Sequence, residues 1–123
     1  MQNKPFRFGP VAMSNTLTTN ILNPPTITGG TNVSDAGANT KIILNHIRIV
    51  NKTAGAVTAS LWVGATAGNV AGTEFAFQAT SIPANSYADW YGRMPLSPTD
   101  FLVGGASAAT SLSIQGEGEI GVA

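Results

Sequence analysis

From Lys41 onward, apolar and polar residues alternate with a period of two, which is the mark of half-buried strands. The clearest run is Ile42 to Val50. It predicts a strand with Ile43, Asn45, Ile47 and Ile49 on one face and Leu44, His46, Arg48 and Val50 on the other. Asn51–Gly55 reads as a turn. Beyond it, Val57, Ala59, Leu61 and Val63 alternate with Thr58, Ser60 and Trp62. These two segments are expected to form an antiparallel hairpin. After a small-residue loop at Gly64–Gly72, strands are expected at Glu74–Thr80, with Phe75 and Phe77 on one face, at Tyr87–Met94 and at Phe101–Val103. Turns at Ile82–Ser86 and Leu96–Asp100 separate them, and Ala106–Ala109 reads as another turn. A last strand, Ser111–Val122, has Leu112, Ile114, Gly116, Gly118 and Ile120 facing one way and Ser113, Gln115, Glu117 and Glu119 the other.

No window carries apolar residues at i, i+3, i+4 and i+7 over three turns, and 14 Gly and 7 Pro are spread along the chain; both features disfavour helix. Strands at spacings near ten residues predict an all-β fold: an antiparallel β-sandwich or jelly roll of seven to eight strands over residues 41–123. Residues 1–40 read differently. Pro5, Pro10, Pro24 and Pro25 interrupt them, Gly29–Gly37 makes a loop, and one strand fits at Asn15–Leu22. The rest is expected to be an extended N-terminal arm. Phe6, Phe8, Val11, Met13, Leu17, Ile21 and Leu22 are too apolar for a solvated tail, so the arm should pack on its own domain or on a neighbouring subunit.

Composition sharpens this picture. At 123 residues the chain is sized for one domain. Charged residues make up only 10%, six basic against six acidic, where an ordinary soluble domain has about 25%. The charge balance argues against general electrostatic binding of nucleic acid. So sparsely charged a surface suits a protein held in an assembly. There is no Cys, which removes disulfides, thiolate metal sites and Cys nucleophiles. No apolar run reaches the roughly 18 residues of a membrane span, and the N-terminus has no secretory apolar core.

Candidate chemistry is thin. His46 has no orienting partner in its own motif, and it shares a strand face with Arg48. Glu117 and Glu119 fall on one face of a strand and could serve as an acid/base pair, but they equally fit a solvated, aggregation-resistant face. Asp89 and Asp100 look isolated. Trp62, Trp90, Tyr87 and Tyr91 could stack on sugars or mark a protein contact. The glycines match no phosphate loop. No catalytic, cofactor or metal residue is assigned. The residues expected at an interface are Phe6, Arg7, Phe8, Met13, Trp62 and Tyr91.

The order of blocks IILNHIRIVNKTAGAVTASLWV (42–63), TSIPANS (80–86), DWYGRMPLSPTDFLVGG (89–105) and SLSIQGEGEIGVA (111–123) resembles small virion structural proteins of tailed bacteriophages. In those proteins a hairpin, an Ile-Pro-Ala-x-Ser turn, a strand, an Asp-containing turn and a final Gly/Glu-rich strand follow one another. The likeness spans residues 42–123 and rests on strands and turns. It implies a non-enzymatic particle component without cofactors, located in the virion and assembled in the host cytoplasm. It implies a capsid decoration (cement) protein that binds and stabilises the major capsid protein lattice. Such proteins are homo-oligomers, often trimers, and need neither nucleic acid nor membrane. A head–tail connector, a tail component and a glycan-binding module on a tail appendage are the alternatives.

Overall fold

The computed structural model describes residues 4–23 and 40–122. The loop expected at Gly29–Gly37 lies outside them. Eight strands are formed: β1 (Lys4–Ala12), β2 (Asn20–Leu22), β3 (Thr40–Asn51), β4 (Val57–Gly64), β5 (Thr80–Ile82), β6 (Tyr87–Leu96), β7 (Phe101–Ala106) and β8 (Leu112–Val122). They build two four-stranded antiparallel sheets. Sheet A has the order β1-β8-β3-β6 and sheet B the order β2-β7-β4-β5. The pairs β1–β8, β2–β7, β3–β6 and β4–β5 are nested, each enclosing the next along the chain. A long double hairpin rolled into two layers gives this connectivity, the jelly-roll form of the sandwich. The apolar interior between the layers is filled by Phe8, Leu22, Ile42, Leu44, Ile47, Ile49, Leu61, Ile82, Leu96, Leu102, Leu112 and Ile114, all essentially inaccessible to solvent.

The expected hairpin between residues 42–50 and 57–63 does not form: β3 and β4 lie in different sheets. The chain crosses between layers at residues 52–56, and Asn51 fixes the crossing. Its buried side-chain amide donates to the carbonyls of Gly55 and Ile82, both at 2.9 Å, and its Oδ1 accepts from the Thr53 N–H at 2.9 Å and the Thr53 hydroxyl at 2.7 Å. A buried amide with all these bonds made is stable where it is. It ties the end of sheet A to the end of β5.

Of the two placements expected for the arm, residues 4–12 show the first: they pack on their own domain, as a full strand of sheet A. Residues 4–12 pair with β8 over Lys4–Ala12, and the 15–22 segment contributes only the short β2. Phe6 stands opposite Gly118 and Phe8 opposite Gly116. A Cβ on Gly116 would overlap the Phe8 ring, and one on Gly118 would overlap the Ile43 carbonyl oxygen. Gly116 therefore leaves the space that the Phe8 ring occupies, an aromatic-over-glycine pairing, while Gly118 lets the backbone of β3 approach β8 closely. Burying each Phe side chain contributes roughly 1.5–3 kcal/mol.

Two strands switch face midway. In β1, Phe6 and Phe8 point inward, the register shifts between Phe8 and Val11, and Met13 is then buried. In β3, Ile42 and Leu44 are buried, the register shifts between Leu44 and His46, and Ile47 and Ile49 are buried thereafter. Each bulge inserts one residue and reverses the alternation. This corrects the assigned faces of β3: Ile43 looks outward and Leu44 inward, while His46 and Arg48 share the outer face as expected. The strand expected at Glu74–Thr80 is also irregular. Phe75 and Phe77 exchange backbone hydrogen bonds with Leu61 along the β4 edge, but Ala76 (φ 65°) and Ala79 (φ 48°) are left-handed, so a regular strand resumes only at Thr80. Both phenylalanines are buried, and Phe75 meets Trp90 of β6 edge-on at 4.8 Å. That contact closes one side of the sandwich.

Candidate functional site

The outer face of sheet A gathers most of the chain's charge. Arg7, Lys41, Arg48, Asp89, Arg93, Glu117 and Glu119 all lie there, seven of the twelve Asp, Glu, Lys and Arg residues. Pairing sets them in rows across the strands. Arg7, Glu117, His46 and Tyr91 form one row, and Gln115, Arg48 and Asp89 the next. Side chains directly opposite or diagonal on one face lie within reach of one another.

Asp89 is the hub. One carboxylate oxygen accepts from Arg48 Nε at 2.8 Å and stands 2.9 Å from His46 Nε2; the other accepts from Arg48 Nη2 at 3.2 Å. The two-pronged contact with the guanidinium is the strong, directional form of this ion pair. The Asp89 side chain is only 15% exposed. The Arg48 hydrogen bonds, aided by His46, hold its carboxyl below the usual carboxylate range against the opposing effect of burial. Reciprocally, the hydrogen bond to Asp89 raises the Arg48 guanidinium.

Each of the two side chains that hold Asp89 carries a tyrosine. The His46 ring lies flat on Tyr91, with centroids 4.5 Å apart and 9° between planes. The Arg48 guanidinium sits 4.4 Å above the centre of the Tyr87 ring, a cation–π contact. Tyr87 and Tyr91 flank Asp89 on β6 and are 54% and 70% exposed. Two large exposed rings are thus set in fixed orientation by a network anchored on one carboxylate. On its far side His46 Nδ1 faces Glu117 Oε1 at 3.3 Å. A carboxylate oxygen thus stands at each ring nitrogen of His46, and the network fixes the orientation of these side chains.

Beside this network runs a groove of about 580 Å³ between β1 and β3, over β8, lined by Pro5, Arg7, Pro10, His46, Arg48, Gln115 and Glu117. A smaller hollow of about 390 Å³ at the other end of the face is lined by Lys41, Ile43, Pro95, Ser97 and Glu119. Among the described residues, no group of three or more His, Cys, Asp or Glu side chains is placed to hold a metal ion.

The expected interface residues divide sharply. Arg7 and Tyr91 are exposed on the outer face. Phe6, Phe8 and Met13 are instead 2%, 0% and 3% exposed within the domain's own core, and Trp62 is 6% exposed. The reason is the β1–β8 pairing for the first three. For Trp62, both faces of sheet B are covered. Glu117 and Glu119 share one face, as their spacing requires, but serve different neighbourhoods: Glu117 meets His46, and Glu119 lines the far hollow. Asp89 is the residue that sequence reasoning misplaced by treating it as isolated. Its signal was the Tyr-x-Asp-x-Tyr alternation at 87–91, which puts all three side chains on one face. No protein-family model matches the sequence, and no curated protein matches it.

Proposed function

We propose that this chain is a structural protein of a tailed-phage virion, and that it acts as a capsid decoration protein stabilising the lattice of the major capsid protein. The observation that carries the reading is the outer face of sheet A, where Tyr87 and Tyr91 stand exposed and prearranged by Arg48, His46 and Asp89. Tyr and Arg are enriched at the centres of protein interfaces. Rings already held in place lose little freedom on docking, which is how a small surface gains affinity. The jelly-roll connectivity supports the reading at the level of analogy, since capsid domains use it. So does the low charge of the remaining surface. Repeated weak contacts of many copies on a lattice add through multivalency.

The same fold is used by lectins, and the 70% exposure of Tyr91 favours a second reading, a glycan-binding module on a tail appendage. Quantitative mass analysis of purified virions separates them. Copies on the order of hundreds per particle support decoration. A handful of copies points to the connector or the tail, and absence from the particle overturns the proposal. For the glycan reading, a glycan array with Tyr91→Ala shows lost binding if it holds.

A further inference from the structure

We propose that the hollow between β3 and β6 on the outer face of sheet A binds an extended acidic segment of a partner protein, seating one apolar side chain between two carboxylates. The inference rests on the reading of this face as a contact face, but not on the particle to which the partner belongs. The hollow measures about 390 Å³ and is lined by Ile43 and Pro95, with Lys41, Ser97 and Glu119 around them. Ile43 and Pro95 stand directly opposite each other on the two strands. The volume is at the small end of the roughly 300–1,000 Å³ of ligand sites, which suits an apolar side chain better than a large ligand.

Two cations bracket this apolar patch. Along β6, Arg93 and Pro95 are exposed while Met94 packs against the core and Leu96 is buried, so Arg93 shares the outer face with Pro95. Along β3, Lys41 shares it with Ile43, and Ile42 between them is buried. Ile42 pairs with Leu96, which sets Lys41 level with Ser97 at one end of the hollow and leaves Arg93 at the other. The two lie roughly 13 Å apart along the strand direction, four positions at about 3.3 Å each. Among the described residues, neither makes a hydrogen bond or an ion pair. The acidic groups nearby are engaged: Asp89 holds Arg48 and His46, and Glu119 interacts within the chain. In an extended segment every second side chain points the same way. Acidic residues at i and i+4 therefore span the distance between Lys41 and Arg93, and the residue at i+2 falls over Ile43 and Pro95. Glu119 repels acidic side chains from the β8 side and keeps the segment along the line between β3 and β6.

The test uses the full-length, isotope-labelled protein and end-blocked pentapeptides. Glu-Ser-Leu-Ser-Glu should shift the backbone amides of Lys41, Ile43 and Arg93 saturably, and added salt should weaken the effect. Lys-Ser-Leu-Ser-Lys reverses the charges and Glu-Ser-Ser-Ser-Glu removes the anchor; each should bind more weakly by about tenfold or more. Lys41→Glu combined with Arg93→Glu should invert the preference between the two leucine peptides. Its circular dichroism spectrum should match the parent's, because both side chains are exposed. The proposal is overturned if about 10 mM Glu-Ser-Leu-Ser-Glu, enough to fill most of a millimolar site, leaves the three amides unmoved. Equal binding of the acidic and basic peptides, or shifts confined to the groove of Arg7 and Glu117, would also overturn it. So would shifts of the same amides with protein concentration alone, which would give the hollow to a second copy. The copy number in virions bears on the capsid reading only, so a failure of either reading is told apart from a failure of the other.

Discussion

The two sheets of this sandwich solve the same packing problem in opposite ways. Sheet A is long-stranded, with an inner face interrupted by bulges in β1 and β3 and an outer face open to solvent that carries most of the charge. Sheet B is short-stranded, and its central strands are buried on both sides. Leu102, Val103, Gly104, Gly105 and Ala106 of β7 are all buried, so the residue alternation that marks an exposed face is absent. The chain itself supplies the cover: the carbonyl oxygens of Ser14 and Thr16 stand where a Cβ on Gly105 would go, and the Ala79 N–H donates to the hydroxyl of Ser60. What this difference teaches is where a partner can dock. Sheet B has spent its outer face on its own loops, whereas sheet A keeps a flat face and a free edge.

The comparison can be broken most severely at the centre of sheet A. Gly118→Val places a side chain against the Ile43 backbone carbonyl in the middle of the β3–β8 pairing, where no flexible group can yield. A loss of more than about 4 kcal/mol, or no folded protein at all, is expected by chemical denaturation. Gly55→Ala, in open space in the crossing loop, is the matched control and should stay within about 0.5 kcal/mol of the parent.

A smaller effect is expected where sheet B meets its cover. At Gly105 an added Cβ would stand 2.6 Å from the Ser14 carbonyl oxygen and 2.9 Å from that of Thr16. Gly105→Ala pushes on a loop segment that can shift, so about 1–3 kcal/mol should be lost. Hydrogen exchange should show the loosening at residues 14–19 with sheet A unaffected. Exchange that speeds up equally in β3 and β8 would mean that the loop is no separate layer.

What could be read from the sequence follows the same division. In β8, Leu112, Ile114 and Ile120 alternate strictly with charged and polar residues, and that strand was legible to its faces. The turns at Ser97–Asp100 and Ala106–Ala109 were legible from their Gly, Pro, Ser and Asp content. In β1 and β3 a bulge shifts the pattern, so the buried pairs Phe6/Phe8 and Ile42/Leu44 are followed by Met13 and Ile47/Ile49 out of step. A reading that assumes one unbroken period assigns half of β3 to the wrong face. The apparent 42–63 hairpin failed for a different cause. Local pattern says that two strands follow one another but not that the chain changes layer between them, and only the bonds of Asn51 reveal the crossing. The site was half legible: His46, Arg48 and Tyr91 were singled out, but Asp89 stands 43 residues from the His46 it holds. No short-range motif encodes such a contact.

The smallest effect concerns the outer face of sheet A. Because Asp89 titrates below its unfolded value of about 3.9, its contribution is present at pH values above that figure. It is lost as the pH falls through the folded value. Asp89→Asn should therefore shallow the decline of thermal stability below about pH 4 while changing little of the fold at neutral pH. The exposed tyrosines should become more mobile, visible as sharper side-chain resonances of Tyr87 and Tyr91. An acid limb identical to the parent's would remove Asp89 from its place as hub.

The central claim is that the first strand belongs to the same sandwich whose outer face it helps to leave open. Deleting residues 2–13 and following thermal unfolding of the isolated protein at low concentration tests this directly. Without β1, the face of β8 that holds Phe6 and Phe8 is uncovered and β8 becomes a bare edge. The account predicts loss of the cooperative transition, or a melting temperature lower by more than about 15 °C, given about 4 °C per kcal/mol for a domain of this size. A melting curve that superimposes on that of the full chain would contradict it and return these residues to an arm that works only between molecules.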